Sequence, residues 1–355
     1  MKKITAVAIV LFSLLNQQLY AQLNFEQLIR SGPADAQKLV EAYSKPLLSG
    51  FGLGMNSGWA NTAQTLGPLH FDIRVTGTGS IVPLSKQTFD VTGIGLSSIL
   101  RPSNAQDIYS PTFSGTSDKK GPMMDLFDAN NNKLISFELP PGVIKGIVPT
   151  PQVQLTVGFF ANTDFNIRFS PKLKLGEHYG SVSMIGFAVK HNIVRDFVDK
   201  DVKNTPFDLA ILVGFNSLKY GKHLDLKPLE GMVPENEAQV ADFTTQEVYA
   251  NFDNYLIQAV LSKKLSFFTP FVSVGYNISG ARLGLRGNYP IINSIRNDQL
   301  AYITYNDPFS LERTYLKTMR VDTGFEIRLP ILRIFASYGF SGGYGMLNGG
   351  IGLGI

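Results

Sequence analysis

The sequence predicts an all-β protein, an antiparallel transmembrane β-barrel of about 12–14 strands with a short helical plug at its N-terminus. Three observations lead to this prediction: an N-terminal export signal, few charged residues without any long apolar run after that signal, and long stretches in which apolar and polar residues alternate. Every backbone polar group must be satisfied inside a bilayer, so a chain without membrane-crossing helices crosses only with strands that close into a barrel.

Residues 1–21 have the three parts of a secretory signal peptide. Lys2 and Lys3 give a positive start, residues 4–15 are apolar, and a polar stretch ends at Ala21. The alternative, an N-terminal membrane anchor, is disfavoured because about 12 apolar residues are too few to cross a core of roughly 30 Å as a helix. We therefore expect Sec-type export and a mature chain in the outer membrane of a Gram-negative bacterium.

The composition fits a barrel better than it fits a soluble protein or a helical membrane protein. Only 17% of the 355 residues are charged, whereas soluble domains average about 25%. The mean hydropathy is nevertheless only +0.05, as expected when only every second residue of a strand faces lipid. A soluble all-β domain shares much of this composition and remains the alternative on composition alone.

Several kinds of chemistry find no support in the sequence. The absence of cysteine excludes disulfides, thiolate metal sites and lipid attached to a cysteine. The four histidines are not spaced as zinc ligands, and neither a serine-nucleophile motif nor a phosphate-binding loop is present. The net charge of +4 includes two lysines of the signal peptide, so the mature chain is not strongly basic. We expect no metal, no cofactor, no nucleic-acid partner and no enzymatic activity. The alternatives are an exposed calcium site at 128–132, where oxygen-bearing side chains alternate, and a barrel enzyme that acts on lipid.

Residues 22–66 precede the alternating region and have helical spacing instead. Apolar residues fall on one face of two short helices, at Phe25, Leu28, Ile29, Leu39, Val40 and Tyr43. Pro33 opens the second helix, and Pro46 and Gly50 end it. We interpret the segment as a plug of the barrel, with a helical cap that has no transport role as the alternative. The plug candidates are Phe51, Met55, Asn56, Trp59 and Asn61.

Residues 67–355 are predicted to form the barrel. The best strand is 320–329, where Val321, Phe325 and Ile327 share one face and charged residues occupy the other. The alternation recurs at 71–76, 153–159, 165–175, 207–216 and 272–278. Several runs reach about 9–11 residues, the length that crosses a membrane, whereas strands of soluble proteins average about 5–6. About ten strands are well defined, and shorter pieces in 101–140 bring the expected number to 12–14.

The end of the chain fits the same fold. Residues 332–340 and 344–355 alternate as a hairpin joined at Ser341, Gly342 and Gly343. Three polar stretches, 101–150, 220–246 and 287–313, are expected to be long loops, which belong mostly to the outer face of such barrels. A short amphipathic helix is expected at 191–201, at a barrel rim.

Charged residues on the inner faces of the strands are candidates for lining the lumen. They are Asp72, Arg74, Arg168, Lys172, Lys174, Arg320, Asp322, Glu326, Arg328 and Arg333. Two roles are open to them: a selectivity lining of a pore, or salt bridges that fill a closed barrel. Their mixed signs argue against a strongly ion-selective pore.

Three blocks, at 151–172, 185–193 and 269–276, carry a resemblance to known proteins. Together they resemble an uncharacterised family of secreted Bacteroidota proteins grouped with outer-membrane β-barrels. These blocks are strand and turn signatures, so the resemblance implies the fold and transfers no site residue.

The order of segments is similar to that of the transporter porins for long-chain fatty acids and hydrocarbons, in which an N-terminal region plugs the lumen and a kinked strand opens sideways. This resemblance implies a channel or transporter for small hydrophobic or amphipathic molecules. The alternative is a non-transporting structural protein or assembly platform. The expected partners are outer-membrane lipid, a hydrophobic small-molecule ligand and the barrel-assembly machinery that inserts such proteins.

Overall fold

The computed structural model describes residues 28–29, 31–174, 180–198 and 205–354. The predicted signal peptide, residues 1–21, lies outside this part of the chain, and so does Phe25. One long helix, α1 (Pro33–Met55), precedes the strands. In chain order the strands are β1 (Phe71–Ile81), β2 (Thr88–Asp90), β3 (Leu100–Pro102), β4 (Tyr109–Pro111), β5 (Met123–Phe127), β6 (Lys133–Glu138), β7 (Ile147–Phe159), β8 (Thr163–Lys174), β9 (Ser181–Asn192), β10 (Asp208–His223), β11 (Val233–Pro234), β12 (Glu247–Ser262), β13 (Phe268–Arg286), β14 (Asn288–Arg296), β15 (Gln299–Asn306), β16 (Ser310–Arg328), β17 (Leu332–Ser341) and β18 (Tyr344–Gly354).

A closed antiparallel barrel is built in the order β1-β18-β17-β16-β13-β12-β10-β9-β8-β7. A row of paired residues starts at Arg328 of β16, passes once around the wall and returns to β16 at Leu316, twelve residues away. This offset corresponds to strands tilted by about 35–45° from the barrel axis. The predicted fold class, an antiparallel β-barrel with an N-terminal helical segment, is confirmed.

The predicted number of strands is wrong, because the barrel in the described residues has ten strands rather than 12–14. The pieces in 101–140 do form strands, but β3, β4, β5 and β6 have only three to six residues each. They are too short to cross a bilayer, which takes about 9–11 residues. They form two small sheets outside the barrel, β2–β4 and β3–β5–β6.

Side chains alternate across the wall of the barrel. In β1, Asp72 and Arg74 face inward and are buried, whereas Phe71 and Ile73 face outward and are 42% and 48% exposed. Each barrel strand presents large apolar side chains on its outer face, and together they form an apolar belt. Members of this apolar belt, one from each strand, are Ile73, Val153, Ile167, Phe187, Val213, Ile257, Val274, Val321, Tyr338 and Ile351.

The two ends of the barrel differ in the length of their connections. At one end, called here the turn end, the chain reverses at 160–162, 193–207, 263–267 and 329–331. At the other end, the loop end, the longest connections are 82–146, 224–246 and 287–309. These three connections form a cap over the loop end, and the sheet β11–β15–β14 is part of it.

Helix α1 extends farther than the sequence predicts. Pro46 and Gly50 do not end it, and it runs without interruption to Met55. The helix lies so close to the wall that a Cβ on Gly50 would stand 2.7 Å from Cγ2 of Val148. An isolated helix would end at Pro46 or Gly50. Packing against the barrel wall therefore stabilises the helix beyond these two residues. Among the described residues, no helix is both long and apolar enough to cross a bilayer.

The described residues of the range 191–201 do not form the amphipathic helix that the sequence predicts. Strand β9 continues to Asn192, and a single 3₁₀ turn follows at Val194–Asp196. Residues 199–201 lie outside the described part of the chain. The helical spacing of Ile193, Val194 and Phe197 thus corresponds to a short turn at the turn end.

Candidate functional site

The described residues from Leu28 to Leu66, called here the plug segment, pass through the barrel from the loop end to the turn end. Tyr43, in the first half of α1, contacts the cap, where its hydroxyl donates to the carbonyl of Pro141 at 2.8 Å. The C-terminus of the helix, Met55, lies among wall residues of β8 and β10. The following residues continue to Leu66, whose backbone N–H donates to Asp164 Oδ1 at 2.8 Å near the turn end. The plug segment thus occupies the lumen along its length.

Arg168 joins the wall to the end of α1. It is completely buried on β8, and its guanidinium donates to the carbonyls of Met55 at 2.7 Å and Ser57 at 2.9 Å. The ring of Trp59 lies against the guanidinium, 3.7 Å from its carbon to the ring centroid. The negative end of the helix dipole faces this cation, which favours the arrangement. Arg168 therefore joins β8 directly to the backbone at the end of α1.

Asparagine side chains surround the same point of the lumen. Asn56 donates to the carbonyl of Tyr255 at 3.0 Å and to Asn277 Oδ1 at 3.2 Å. Asn216 donates to the carbonyl of Met55 at 3.1 Å and to Asn56 Oδ1 at 3.2 Å. These bonds tie the end of α1 to three neighbouring strands of the wall, β10, β12 and β13.

Five of the charged candidates meet in one buried network toward the turn end. Arg74 contacts Asp72, and its Nη2 lies 3.2 Å from Oε2 of Glu326. Arg328 Nη2 lies 3.0 Å from Glu326 Oε1, and Arg333 Nε lies 3.3 Å from Asp72 Oδ2. In this network three arginines surround two carboxylates, so most of the charge is compensated within the barrel.

Arg320 and Asp322 form a separate buried pair, with Arg320 Nε 2.8 Å from Asp322 Oδ2. Arg320 also donates to Ser57 Oγ at 3.1 Å, so it too contacts the plug. Lys172 and Lys174 lie elsewhere: they are exposed at the loop-end terminus of β8. The structure thus buries seven of the ten charged candidates, leaves Arg328 half-buried beside them and places two at the rim.

The plug candidates occupy different parts of the lumen. Phe51 is half-buried and packs against Phe252 of β12, with ring centroids 5.4 Å apart. Trp59 packs on the wall together with Leu212 and Leu256. The amide of Asn61 is buried without a hydrogen-bond partner in the described part of the chain. A narrow polar cavity lies beside Trp59. Its lining includes Gln64, Arg74, Asp164, Lys190 and Arg328.

One seam of the wall is incomplete. Strands β7 and β8 are joined by only six residue pairs, from Phe159 and Thr163 at the turn end to Gln154 and Arg168. Beyond that point no residue of β7 in 147–153 is paired with β8, and no residue of β8 in 169–174 is paired with β7. We call this open part the β7–β8 gap. It lies on the loop-end side of the barrel.

Prolines in the sequence are a signal for the gap. Pro149 and Pro151 lie in the part of β7 that is not paired with β8, and Pro171 lies in the part of β8 that is not paired with β7. Proline has no N–H to donate, so it is confined to sheet edges and irregular positions. Three prolines in two neighbouring strands therefore indicate an edge within the wall.

Next to the gap, the inner face of the wall is apolar. Met184 of β9, Leu218 of β10 and Phe252 of β12 face the interior and pack in one cluster with Phe51 of α1. Val182, Tyr220 and Phe51 are only partly buried. Toward the turn end the interior is polar, as the charged network shows. The gap therefore lies beside an apolar part of the interior, most of which is covered by α1.

At the turn end, four polar residues connect two turns. His191 Nδ1 is 3.0 Å from Thr163 Oγ1, and its Nε2 is 2.7 Å from Asp196 Oδ2. Asn162 donates to the other carboxylate oxygen of Asp196 at 3.1 Å. The hydrogen bond from Asn162, followed by that from His191, lowers the pKa of the Asp196 carboxyl. The cluster fixes the turn after β9 to the turn before β8.

A closed antiparallel barrel with an apolar outer face and a polar, filled interior has the fold of outer-membrane β-barrel proteins. The chain belongs to a family of unknown function (DUF6588), which matches residues 1–355. A search of curated proteins finds no match.

Solved structures with a similar fold include three outer-membrane proteins at very low sequence identity. The outer membrane protease OmpT from Escherichia coli is 9% identical, with 83% of this chain and 100% of that chain covered and a TM-score of 0.34. The attachment invasion locus protein Ail of Yersinia pestis is 8% identical, with coverages of 81% and 98% and a TM-score of 0.25. The toluene transporter TbuX of Ralstonia pickettii is 8% identical, with coverages of 81% and 90% and a TM-score of 0.22. These likenesses concern the fold alone.

Proposed function

We propose that the mature protein spans the outer membrane of a Gram-negative bacterium, with the turn end in the periplasm and the loop end outside. The apolar belt supports this location, because such a surface is stable only in contact with lipid. Three connections of three to five residues at one end and the cap at the other support the orientation, because barrels of this class have short periplasmic turns and longer outer loops. The barrel-assembly machinery is the partner that would insert it after Sec export.

We propose that the protein moves small hydrophobic or amphipathic molecules between the bilayer and the interior of the barrel. The β7–β8 gap is the observation that carries this proposal. A continuous hydrogen-bonded wall would separate lipid from lumen, whereas the gap leaves an opening between 147–153 and 169–174.

The surroundings of the gap suit an amphipathic molecule. Its apolar part would meet Val182 and Tyr220, the partly buried members of the apolar cluster on β9 and β10. A polar end would meet Lys172 and Lys174, which are exposed at the rim of the gap. Water and ions have no comparable route, because the plug segment fills the lumen.

Cross-linking the gap tests the proposal. The chain has no cysteine, so Val153→Cys with Phe169→Cys places two thiols on opposite sides of the gap for a short bis-maleimide. The matched control is Val157→Cys with Phe165→Cys, a pair in the hydrogen-bonded part of the same seam. Uptake of the lipophilic dye N-phenyl-1-naphthylamine is measured in intact cells before and after cross-linking.

Cells that express the protein should take up the dye faster than cells with an empty vector. Cross-linking 153 to 169 should return uptake to the empty-vector level, and cross-linking 157 to 165 should leave uptake unchanged. Uptake that never exceeds the empty-vector level, or that continues after the gap is cross-linked, would contradict the transport proposal.

The filled lumen supports a second candidate, a non-transporting barrel that presents its cap as an assembly platform. Arg168, Arg320 and the asparagines fix the plug segment to the wall at several points, as a permanently closed barrel requires. Co-purification of one partner in stoichiometric amount, together with no dye uptake, would favour this candidate over transport.

A further inference from the structure

The N-terminal part of the plug segment is anchored in the cap. Leu28 and Ile29 are each only 1% exposed, and they belong to one apolar cluster with cap residues that include Leu100, Met124 and Leu126. Asp35, in the first turn of α1, accepts a hydrogen bond from the backbone N–H of Ser97 at 2.9 Å. Because these residues are so deeply buried, the fold fixes the position of this part of the plug segment.

Additional bonds extend this anchoring along the helix. The backbone N–H of Phe113 in the cap donates to the carbonyl of Tyr43 at 2.9 Å. The rings of Tyr43 and Phe113 meet edge to face, with centroids 5.7 Å apart. The whole first half of α1 therefore lies at the loop end.

The other end of the plug segment is fixed at the turn end. The backbone N–H of Ala63 donates to Ser262 Oγ at 2.9 Å, and the backbone N–H of Leu69 donates to the carbonyl of Gly158 at 3.0 Å. Strand β1 starts at Phe71 and runs back toward the loop end. The plug segment and β1 thus form a long hairpin whose bend, residues 67–70, is at the turn end.

We infer that the barrel carries the start of α1 to the outer surface, so that the N-terminal end of this helix lies outside the cell beside the cap. The inference rests on the orientation given under the proposed function and is independent of transport. A peptide fused directly ahead of Leu28 is then displayed on the cell surface without any outer loop being altered.

Glycines of α1 lie close against the inside of the wall: a Cβ on Gly52 would stand 2.6 Å from Ser279 Oγ. The helix therefore runs inside the barrel between its two anchored ends.

Cysteine labelling in intact cells tests the inference. Three single-cysteine variants of the full chain place one thiol each at exposed positions: Ala34→Cys at the start of α1, Ala105→Cys in the cap and Lys264→Cys at the turn end. A membrane-impermeant maleimide is added to intact cells and, separately, to lysed cells. The labelled fraction is read from the gel shift of the purified protein.

We expect Ala34→Cys and Ala105→Cys to be labelled equally in intact and lysed cells, and Lys264→Cys to be labelled only after lysis. Protection of Ala34→Cys in intact cells while Ala105→Cys is labelled would overturn the inference and leave the proposed orientation intact. Labelling of Lys264→Cys alone, or protection of all three, would overturn the proposed orientation or location and the inference with it.

Discussion

Arg168 shows how a single buried charge can be structural. It lies on the inner face of a barrel strand, where the sequence pattern alone is compatible with a pore lining or with a closed interior. Its bonds to the carbonyls of Met55 and Ser57 favour the closed interior, because both acceptors belong to the plug segment. Hydrogen bonds to charged groups contribute about 1.5–3 kcal/mol each, so the contact stabilises the plugged state substantially.

Glycines of α1 provide a test of the same contact between plug and wall. A Cβ on Gly54 would stand 2.3 Å from Thr150 Oγ1 and 2.8 Å from Thr150 Cβ. We expect Gly54→Ala to lower the free energy of unfolding by about 1–3 kcal/mol, the usual cost of overpacking. The measurement is urea unfolding of the protein in detergent micelles.

The matched control is Gly77→Ala on β1, because a Cβ there has no heavy atom within 4 Å. We expect this variant to unfold like the unmodified protein. Adding Thr150→Gly to Gly54→Ala should restore much of the lost stability. Equal stability of the two alanine variants would show that the plug does not pack against β7 as described.

At the level of elements, the strands of the barrel were predictable because alternation is a local property. The hairpin of β17 and β18 lies where Ser341, Gly342 and Gly343 predict a turn. Continuation of α1 past Pro46 and Gly50 was not predictable, because it depends on contacts with Val148 and other distant wall residues. The β7–β8 gap likewise depends on which strands become neighbours, and the prolines gain their meaning only from that pairing.

The partners of the candidate charges were unpredictable for the same reason. Alternation places Arg74 and Glu326 on inner faces, but they are far apart in sequence and meet only because the barrel closes. Lys172 and Lys174 continue the alternation of β8, yet they lie where the wall has opened. A pattern of inward charges therefore does not distinguish a buried network from an exposed rim.

The barrel wall around α1 contains buried polar atoms that lack hydrogen-bond partners in the described residues. These atoms lead to a prediction about ion conduction by a barrel without its plug segment. Thr150 Oγ1, Asn216 Oδ1, Asn254 Oδ1 and Ser279 Oγ are buried without a hydrogen-bond partner in the described residues. Water would satisfy these atoms if the plug segment were absent. We expect deletion of residues 28–60 to convert a non-conducting protein into an ion-conducting pore in planar bilayers.

The full-length protein is the control for this deletion, and both proteins are first shown to be folded by their resistance to unfolding in detergent at room temperature. Conductance of the full-length protein equal to that of the deletion variant would contradict the description of a filled lumen. A folded deletion variant that stays closed would do the same.

At the scale of the whole molecule, the barrel is taller on one side than on the other. Strands β13 and β16 have 19 residues each, whereas β17 has 10. The part of the tall side nearest the loop end carries exposed ion pairs. In one of them, Arg282 Nη2 lies 2.5 Å from Glu312 Oε2. The tall side extends beyond the apolar belt, and with the cap it forms the outer part of the molecule.

The measurement that tests the central claim most directly is heat-modifiability of the protein in fractionated cells. A closed sheet keeps its hydrogen bonds in detergent until it is boiled, since every strand has a neighbour on both sides. We expect the protein in the outer-membrane fraction, with unboiled and boiled samples at different positions on an SDS gel. A protein in the periplasmic wash that migrates identically with and without boiling would contradict a barrel in the outer membrane.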